Sequence, residues 1–215
     1  MPKCKVCYDS GIDSNLQKCT ACSINAGPTF NITPWIPLQY QGNRYSSAAL
    51  PLPMAEWARE MEVIRDDIAA RTDLKNYLIC SPYRTGKTVW SYDLISRLAY
   101  DGYDVHTIVD LLDIKRILYS YKEEDLSLLA KILNVPVLIV RIPQVLQYGI
   151  VETMQALLYR RVGVNGQTIF LYSDSYYNLS ENCGRKEILQ GLLGDGSLGS
   201  VKLKNYRRSK DGEQS

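Results

Sequence analysis

Residues 81–88 read Ser-Pro-Tyr-Arg-Thr-Gly-Lys-Thr, directly after the short apolar run Tyr77-Leu78-Ile79-Cys80 and directly before a helix-patterned stretch. A strand that ends in such a loop and turns into a helix is how a phosphate-binding loop is built. Successive backbone N–H groups point inward around phosphate oxygens, a lysine reaches the terminal phosphates, and a Ser or Thr hydroxyl binds Mg²⁺. Gly86, Lys87 and Thr88 supply the last three parts. The stretch Tyr83, Arg84, Thr85, Gly86, Lys87, Thr88 and Val89 is therefore the candidate nucleotide-binding segment, with Thr88 as the Mg²⁺ ligand. The front of the loop departs from the pattern: Ser81 stands where G-x-x-x-x-G-K-[ST] asks for glycine, and Arg84 where many such loops carry a further one. Glycine is favoured where φ is positive or a ligand comes close, so both replacements bear on binding. The alternative reading is a surface turn carrying a solvated lysine.

Four of the six cysteines fall in the first 22 residues as Cys4-x-x-Cys7 and Cys19-x-x-Cys22, with eleven residues between the pairs. Each pair presents two thiolates to one side of a tight turn, and two pairs complete the tetrahedral Cys₄ shell of structural Zn²⁺. A full shell leaves no place for a catalytic water. A segment this short has few apolar residues, so the metal is expected to supply most of its folding free energy. A pair of disulfides is the alternative, which a reducing compartment disfavours. Cys80 and Cys183 read as buried small apolar groups. The single histidine, His106, lies in a strand-like run and reads as structural, which removes most metal and general-base schemes.

At 215 residues the chain suits one domain of ordinary size plus a small appendage. No apolar run approaches the ~18 residues a membrane span needs, and the start Met-Pro-Lys-Cys lacks the apolar core of a signal peptide, so a cytoplasmic location is expected. A net charge of +2 does not advertise nucleic-acid binding. The segment from Lys202 to Lys210 concentrates basic charge, which is either a solvated end or a contact to a phosphate backbone.

Residues 1–27 are thus read as a Cys₄ zinc-binding segment and 28–53 as an extended Pro-rich linker. The main domain follows over 54–206, and a basic, polar tail over 207–215. From Met54 the apolar residues Met54, Trp57, Met61, Ile64 and Ile68 recur at helical spacing, with Glu, Arg and Asp assigned to the other face. Strands are expected at Tyr77–Cys80, Val105–Val109, Val137–Val140, Thr168–Tyr172 and Val201–Leu203. Helices are expected at Val89–Tyr100, Leu111–Ser120, Glu123–Leu133, Val151–Arg161 and Arg185–Leu193. This alternation implies an α/β fold: a central parallel sheet of five strands with helices on both faces and the ligand at the strands' carboxyl ends.

The ordered set of cysteine pairs, linker, helix, phosphate loop and alternating strands resembles the bacterial helicase loaders of the DnaC/DnaI type, a branch of the AAA+ ATPases. The points of likeness are Trp35-Ile36-Pro37-Leu38-Gln39-Tyr40, the phosphate loop, and Val109-Asp110-Leu111-Leu112-Asp113. Val137-Leu138-Ile139-Val140 matches the Walker B strand, and Thr168-Ile169-Phe170-Leu171-Tyr172-Ser173-Asp174 the sensor 1 strand. The resemblance implies an AAA+-like P-loop domain that binds ATP or ADP with Mg²⁺ and acts on the replicative DNA helicase. It also implies contact with single-stranded DNA and assembly as a homo-oligomer or on the helicase ring. In that family the Walker B strand ends in two acids, one anchoring Mg²⁺ and one orienting the attacking water; here Arg141 and Ile142 stand there. Weak or absent hydrolysis is expected, with Arg141 available to meet phosphate oxygens. Ser173 and Asp174 are the sensor candidates and Arg185 the arginine-finger candidate. Three alternatives stay open: an active ATPase of the loader or IstB-like transposition-helper type with acids from Asp110, Asp113 or Asp174; an adaptor or inhibitor of the helicase that binds no nucleotide; and a DNA-binding replication accessory that uses Arg207 and Arg208.

Overall fold

The computed structural model describes residues 36–40, 45–47, 52–71, 75–104, 108–145, 148–164 and 166–202. The four amino-terminal cysteines, His106 and the basic residues beyond Lys202 lie outside them, as do the expectations placed on those residues. A 3₁₀ turn at Leu38–Tyr40 precedes α1 (Leu52–Ala69), β1 (Tyr77–Cys80), α2 (Lys87–Tyr100) and β2 (Val109–Asp110). Then come α3 (Leu111–Leu118), α4 (Glu123–Asn134), β3 (Val137–Arg141), α5 (Ile150–Arg161) and a second 3₁₀ turn at Val162–Val164. The last elements are β4 (Gln167–Tyr172), α6 (Tyr176–Asn182), α7 (Lys186–Gly194) and β5 (Gly199–Lys202).

The strands are short runs of Val, Ile, Leu, Phe and Tyr, and the three inner ones are buried along most of their length. Such runs have no polar face to give to water, so both faces of the sheet must be covered. All pairings are parallel and the strand order is β2-β3-β4-β1-β5. Side chains alternate between two cores as the strand period requires. Leu78, Cys80, Leu138, Val140, Phe170 and Tyr172 pack with α3, α4, α5 and α7 on one face. Ile79, Ile139, Ile169, Leu171 and Val201 pack with α1 and α2 on the other. Truncating a side chain such as Phe170 to alanine would cost about 3–5 kcal/mol through lost burial and the cavity left behind.

In α1, Met54, Trp57, Met61, Ile64 and Ile68 are all buried, which is why the stripe forms a helix on the sheet. Pro53 is the second helical residue, where a missing N–H leaves no helical bond unmade. Arg65 departs from the expected polar face. It is buried, donates to Asp93 Oδ2 at 2.6 Å and to the Tyr45 carbonyl at 2.8 Å, and so joins α1 to α2. Trp90 Nε1 donates to the Met61 carbonyl at 2.6 Å across the same seam. Losing one partner of the buried Arg65–Asp93 pair would cost about 3–5 kcal/mol, because the other charge would stay buried alone.

A second buried cation closes the opposite layer. Arg161, at the end of α5, is fully buried and donates to the carbonyls of Ile132, Leu133, Val135 and Gln167 and to Thr168 Oγ1, at 2.6–3.1 Å. The last turn of α4 leaves carbonyls without helical partners, and this guanidinium satisfies them while fixing where β3 and β4 begin. Burial lowers its pKa to about 10, with Arg71 adding to the effect. Among the described residues no helix is long and apolar enough to cross a membrane.

Candidate phosphate-binding site

Strand β1 ends at Cys80 and α2 begins at Lys87, so the six residues 81–86 make the turn at the carboxyl edge of the sheet. The amide of Ser81 still donates to the Tyr172 carbonyl of β4 at 3.3 Å, which ties the start of the loop to its neighbouring strand. The chain then reverses through two residues of positive φ, Arg84 at 62° and Gly86 at 84°. At Gly86 the conformation suits only glycine for a further reason: an added Cβ would lie 2.9 Å from the Tyr45 ring. At Arg84 the same region is strained for an L side chain, by about 1–2 kcal/mol. Ser81 has no such need, because its φ is not positive. Its hydroxyl instead bridges to Thr85 Oγ1 at 2.7 Å, inside the loop.

Lys87 is buried, and its Nζ turns back into the loop. It donates to the Ser81 carbonyl at 2.7 Å, Ser81 Oγ at 2.9 Å, the Pro82 carbonyl at 2.8 Å and Thr85 Oγ1 at 3.3 Å. Burial lowers its pKa to about 8, while this ring of oxygens holds the ammonium form. Thr88 is exposed on the first turn of α2, and the amides of that turn have no intrahelical acceptor. A concave turn, a helix amino terminus, a lysine and an exposed threonine hydroxyl together match the donor set of a polyphosphate with its divalent ion. The surface-turn alternative required a solvated lysine, and Lys87 is not one.

Tyr45 was not singled out by the sequence, yet it shapes the loop. Its amide donates to Asp93 Oδ2 at 3.4 Å and its carbonyl accepts from Arg65, so the α1–α2 ion pair clamps the backbone while the ring lies against Gly86. Burial pushes its hydroxyl pKa upward, with Glu62 adding to the rise. Nearby, Tyr40 stacks on Tyr92 of α2 at 4.8 Å between ring centroids. No periodicity marks Tyr45, which sits in a Gly-Asn-Arg-Tyr-Ser-Ser tract of turn-forming composition.

The other expected residues distribute along the same edge. Arg141 ends β3 exposed, and its partner is Asp110 at 3.1 Å, its register neighbour on the outermost strand β2. The pair lies on the side of β3 away from the loop, so Arg141 is engaged there and not with the phosphate site. Asp110 also caps α3, accepting from Leu112 N at 3.3 Å. Ile142 is buried, with its amide donating to the Leu171 carbonyl at 2.9 Å. Asp113 is exposed on α3. Ser173 and Asp174 follow β4 directly, on the strand between β3 and β1. Asp174 accepts from Ser175 N at 2.6 Å and from Asn178 Nδ2 at 2.8 Å. Arg185 is exposed at the start of α7, within 3.3 Å of Glu152 and 3.5 Å of Glu187. Tyr83 is exposed and donates to Gln144 Oε1 at 3.0 Å. Among the described residues no group of three or more His, Cys, Asp or Glu side chains is arranged to hold a metal ion.

The fold, a five-stranded parallel sheet with flanking helices, has counterparts among solved structures. The chain shares it with DnaI, at 17% identity and a TM-score of 0.52 over 80% of this chain and 95% of that one. It is equally similar to the DnaC helicase loader, at 12% identity and TM-score 0.52 over 77% of this chain and all of that one. DnaA from Aquifex aeolicus, solved with AMPPCP bound, matches at 15% identity and TM-score 0.52 over 75% of this chain and 51% of its own. No family model matches the sequence, and no curated protein matches it.

Proposed function

We propose that this chain is a replication accessory protein of helicase-loader type, which binds ATP or ADP through the loop between β1 and α2 and turns it over slowly or not at all. The observation that carries the reading is the loop itself: positive φ at Arg84 and Gly86 bends it around the buried Lys87. The likeness in fold to DnaI and to the DnaC helicase loader supports the loader assignment, and the AMPPCP-bound DnaA supports a nucleotide in the loop. Lys87 and the amides of Thr85 to Val89 take the phosphates, and Thr88 takes the Mg²⁺. When bound, Mg²⁺ supplies charge neutralisation between the outer phosphates.

Slow turnover follows from the end of β3. Arg141 and Ile142 supply neither a metal-anchoring carboxylate nor a group to orient water, and Asp110 is held by Arg141. Binding alone suffices for regulation, since a ligand shifts a conformational equilibrium by its differential affinity for the two states. The partner is the replicative helicase, engaged through the amino-terminal segment in which Cys4, Cys7, Cys19 and Cys22 hold a structural Zn²⁺. Arg185 acts on a neighbouring subunit in this reading.

Two assays test this. Steady-state phosphate release should stay near background for the wild-type protein, and release that depends on Lys87 would refute slow turnover. A pull-down with the replicative helicase should retain the full chain, with one zinc per chain by metal analysis; failure to retain it would refute the loader role.

A further inference from the structure

The missing acids of β3 raise the question of which side chain meets the divalent ion of a bound nucleotide. A divalent ion on a triphosphate commonly takes one or two carboxylates from the protein, directly or through water. Asp110 is consumed by Arg141 and by the cap of α3, and its strand β2 lies three positions from the loop-bearing β1 and two from β4. Asp113 is exposed on α3. At the carboxyl ends of β1, β4 and β5, the three strands nearest the loop, the described residues include one carboxylate, Asp174.

Its position follows from register. Cys80 pairs with Tyr172, and the Ser81 amide bonds to the Tyr172 carbonyl, so Asp174 leaves β4 beside the point where the phosphate loop leaves β1. Its charge contributes to raising the pKa of both Cys80, at the foot of the loop, and Tyr172. Asn178 and the Ser175 amide each take one carboxylate oxygen, which fixes the group and leaves it a lone pair on each.

Resting on the nucleotide-binding reading above, we propose that Asp174 is the metal-facing carboxylate of this site, moved one strand inward from the end of β3 to the end of β4. β3 ends in Arg141, and β4 continues into Asp174. A single carboxylate here holds the ion but leaves no second acid to activate water, which accords with binding and slow turnover.

The test uses full-length protein and a fluorescent ATP analogue, titrated with Mg²⁺ and with EDTA. Wild type should bind about tenfold more tightly with Mg²⁺, and Asp174→Asn should reduce that advantage to less than about twofold. Asp110→Asn should leave the advantage intact. A structural role confined to starting α6 would change the melting temperature of Asp174→Asn without changing its Mg²⁺ dependence, and that result overturns the proposal. Should Asp174→Asn fail to fold, Fe²⁺ substituted for Mg²⁺ in the wild-type complex, with hydrogen peroxide as oxidant and ascorbate to recycle the iron, gives a second readout. Oxidative backbone cleavage near residues 173–175 is expected, and cleavage confined to the phosphate loop overturns the proposal. Binding that Lys87→Ala abolishes but Asp174→Asn leaves fully Mg²⁺-dependent defeats the Asp174 assignment alone. No saturable binding to wild type defeats the nucleotide reading with it.

Discussion

The ends of β1 and β3 lie on the same edge of one sheet, a strand apart, and they have been treated differently. At the end of β1 lie two residues of positive φ, a buried lysine and the open first turn of α2. At the end of β3 a basic side chain pairs outward with Asp110, and the next residue is a buried isoleucine. Holding a phosphate and activating water for attack on it are separable tasks. The first needs donors on a bent backbone and the second an acid at a defined distance, and the proposed function has this edge keep the first without the second.

The most damaging single change to the β1 side should be Gly86→Ala. The positive φ and the 2.9 Å approach of the Tyr45 ring both oppose a Cβ, so a loss of about 2–3 kcal/mol is expected, or a melting temperature lower by roughly 4–10 °C. A melt unchanged within error would mean that the loop does not hold this conformation.

Next in size is a pH effect with a defined sign. The pKa of Lys87 is lowered to about 8 in the folded protein, and a bound polyphosphate would raise it again by favouring the ammonium form. Below pH 8 the lysine is charged with or without ligand, so affinity should be flat. Above pH 8 binding takes up a proton, and affinity should fall by up to about tenfold per pH unit until the bound-state pKa is reached. Fluorescence titrations from pH 7 to 10 would check this, and affinity that rises with pH would contradict it.

Arg84→Gly should have a smaller and opposite effect. Relief of strain at φ 62° exceeds the entropy that glycine adds to the unfolded chain, for a net gain of about 0.5–1 kcal/mol in a denaturant melt. Smallest of all is Arg141→Ala. Its ion pair with Asp110 is exposed, so stability should change by less than about 1 kcal/mol and nucleotide affinity should not move. A tenfold loss of affinity would erase the contrast between the two strand ends.

Legibility in the sequence tracked locality. β1 was readable to the residue, and the α1 stripe was buried as its spacing implied, because apolar periodicity reports directly on a nearby core. Arg65 was misplaced on the outer face, since a buried guanidinium becomes affordable only once Asp93 and the Tyr45 carbonyl arrive from elsewhere in the chain. α6 went unread although Ser175 carries the side chain of a helix cap, accepting from Asn178 N at 3.1 Å; seven residues give too short a period to see. The place of Lys87 in its loop was legible because its neighbours in sequence, Ser81, Pro82 and Thr85, are its neighbours in space. The pairing of Arg141 with Asp110 was not, since it depends on the register of two strands thirty-one residues apart.

The most direct test of the account is a calorimetric titration of ATP with Mg²⁺ into the full-length protein and into Lys87→Met, each followed by a phosphate-release assay on the same sample. The account predicts saturable heat for wild type, its loss in Lys87→Met, and phosphate release near background from both. Heat that persists without Lys87, or wild-type release at the rate of an active ATPase, would contradict it.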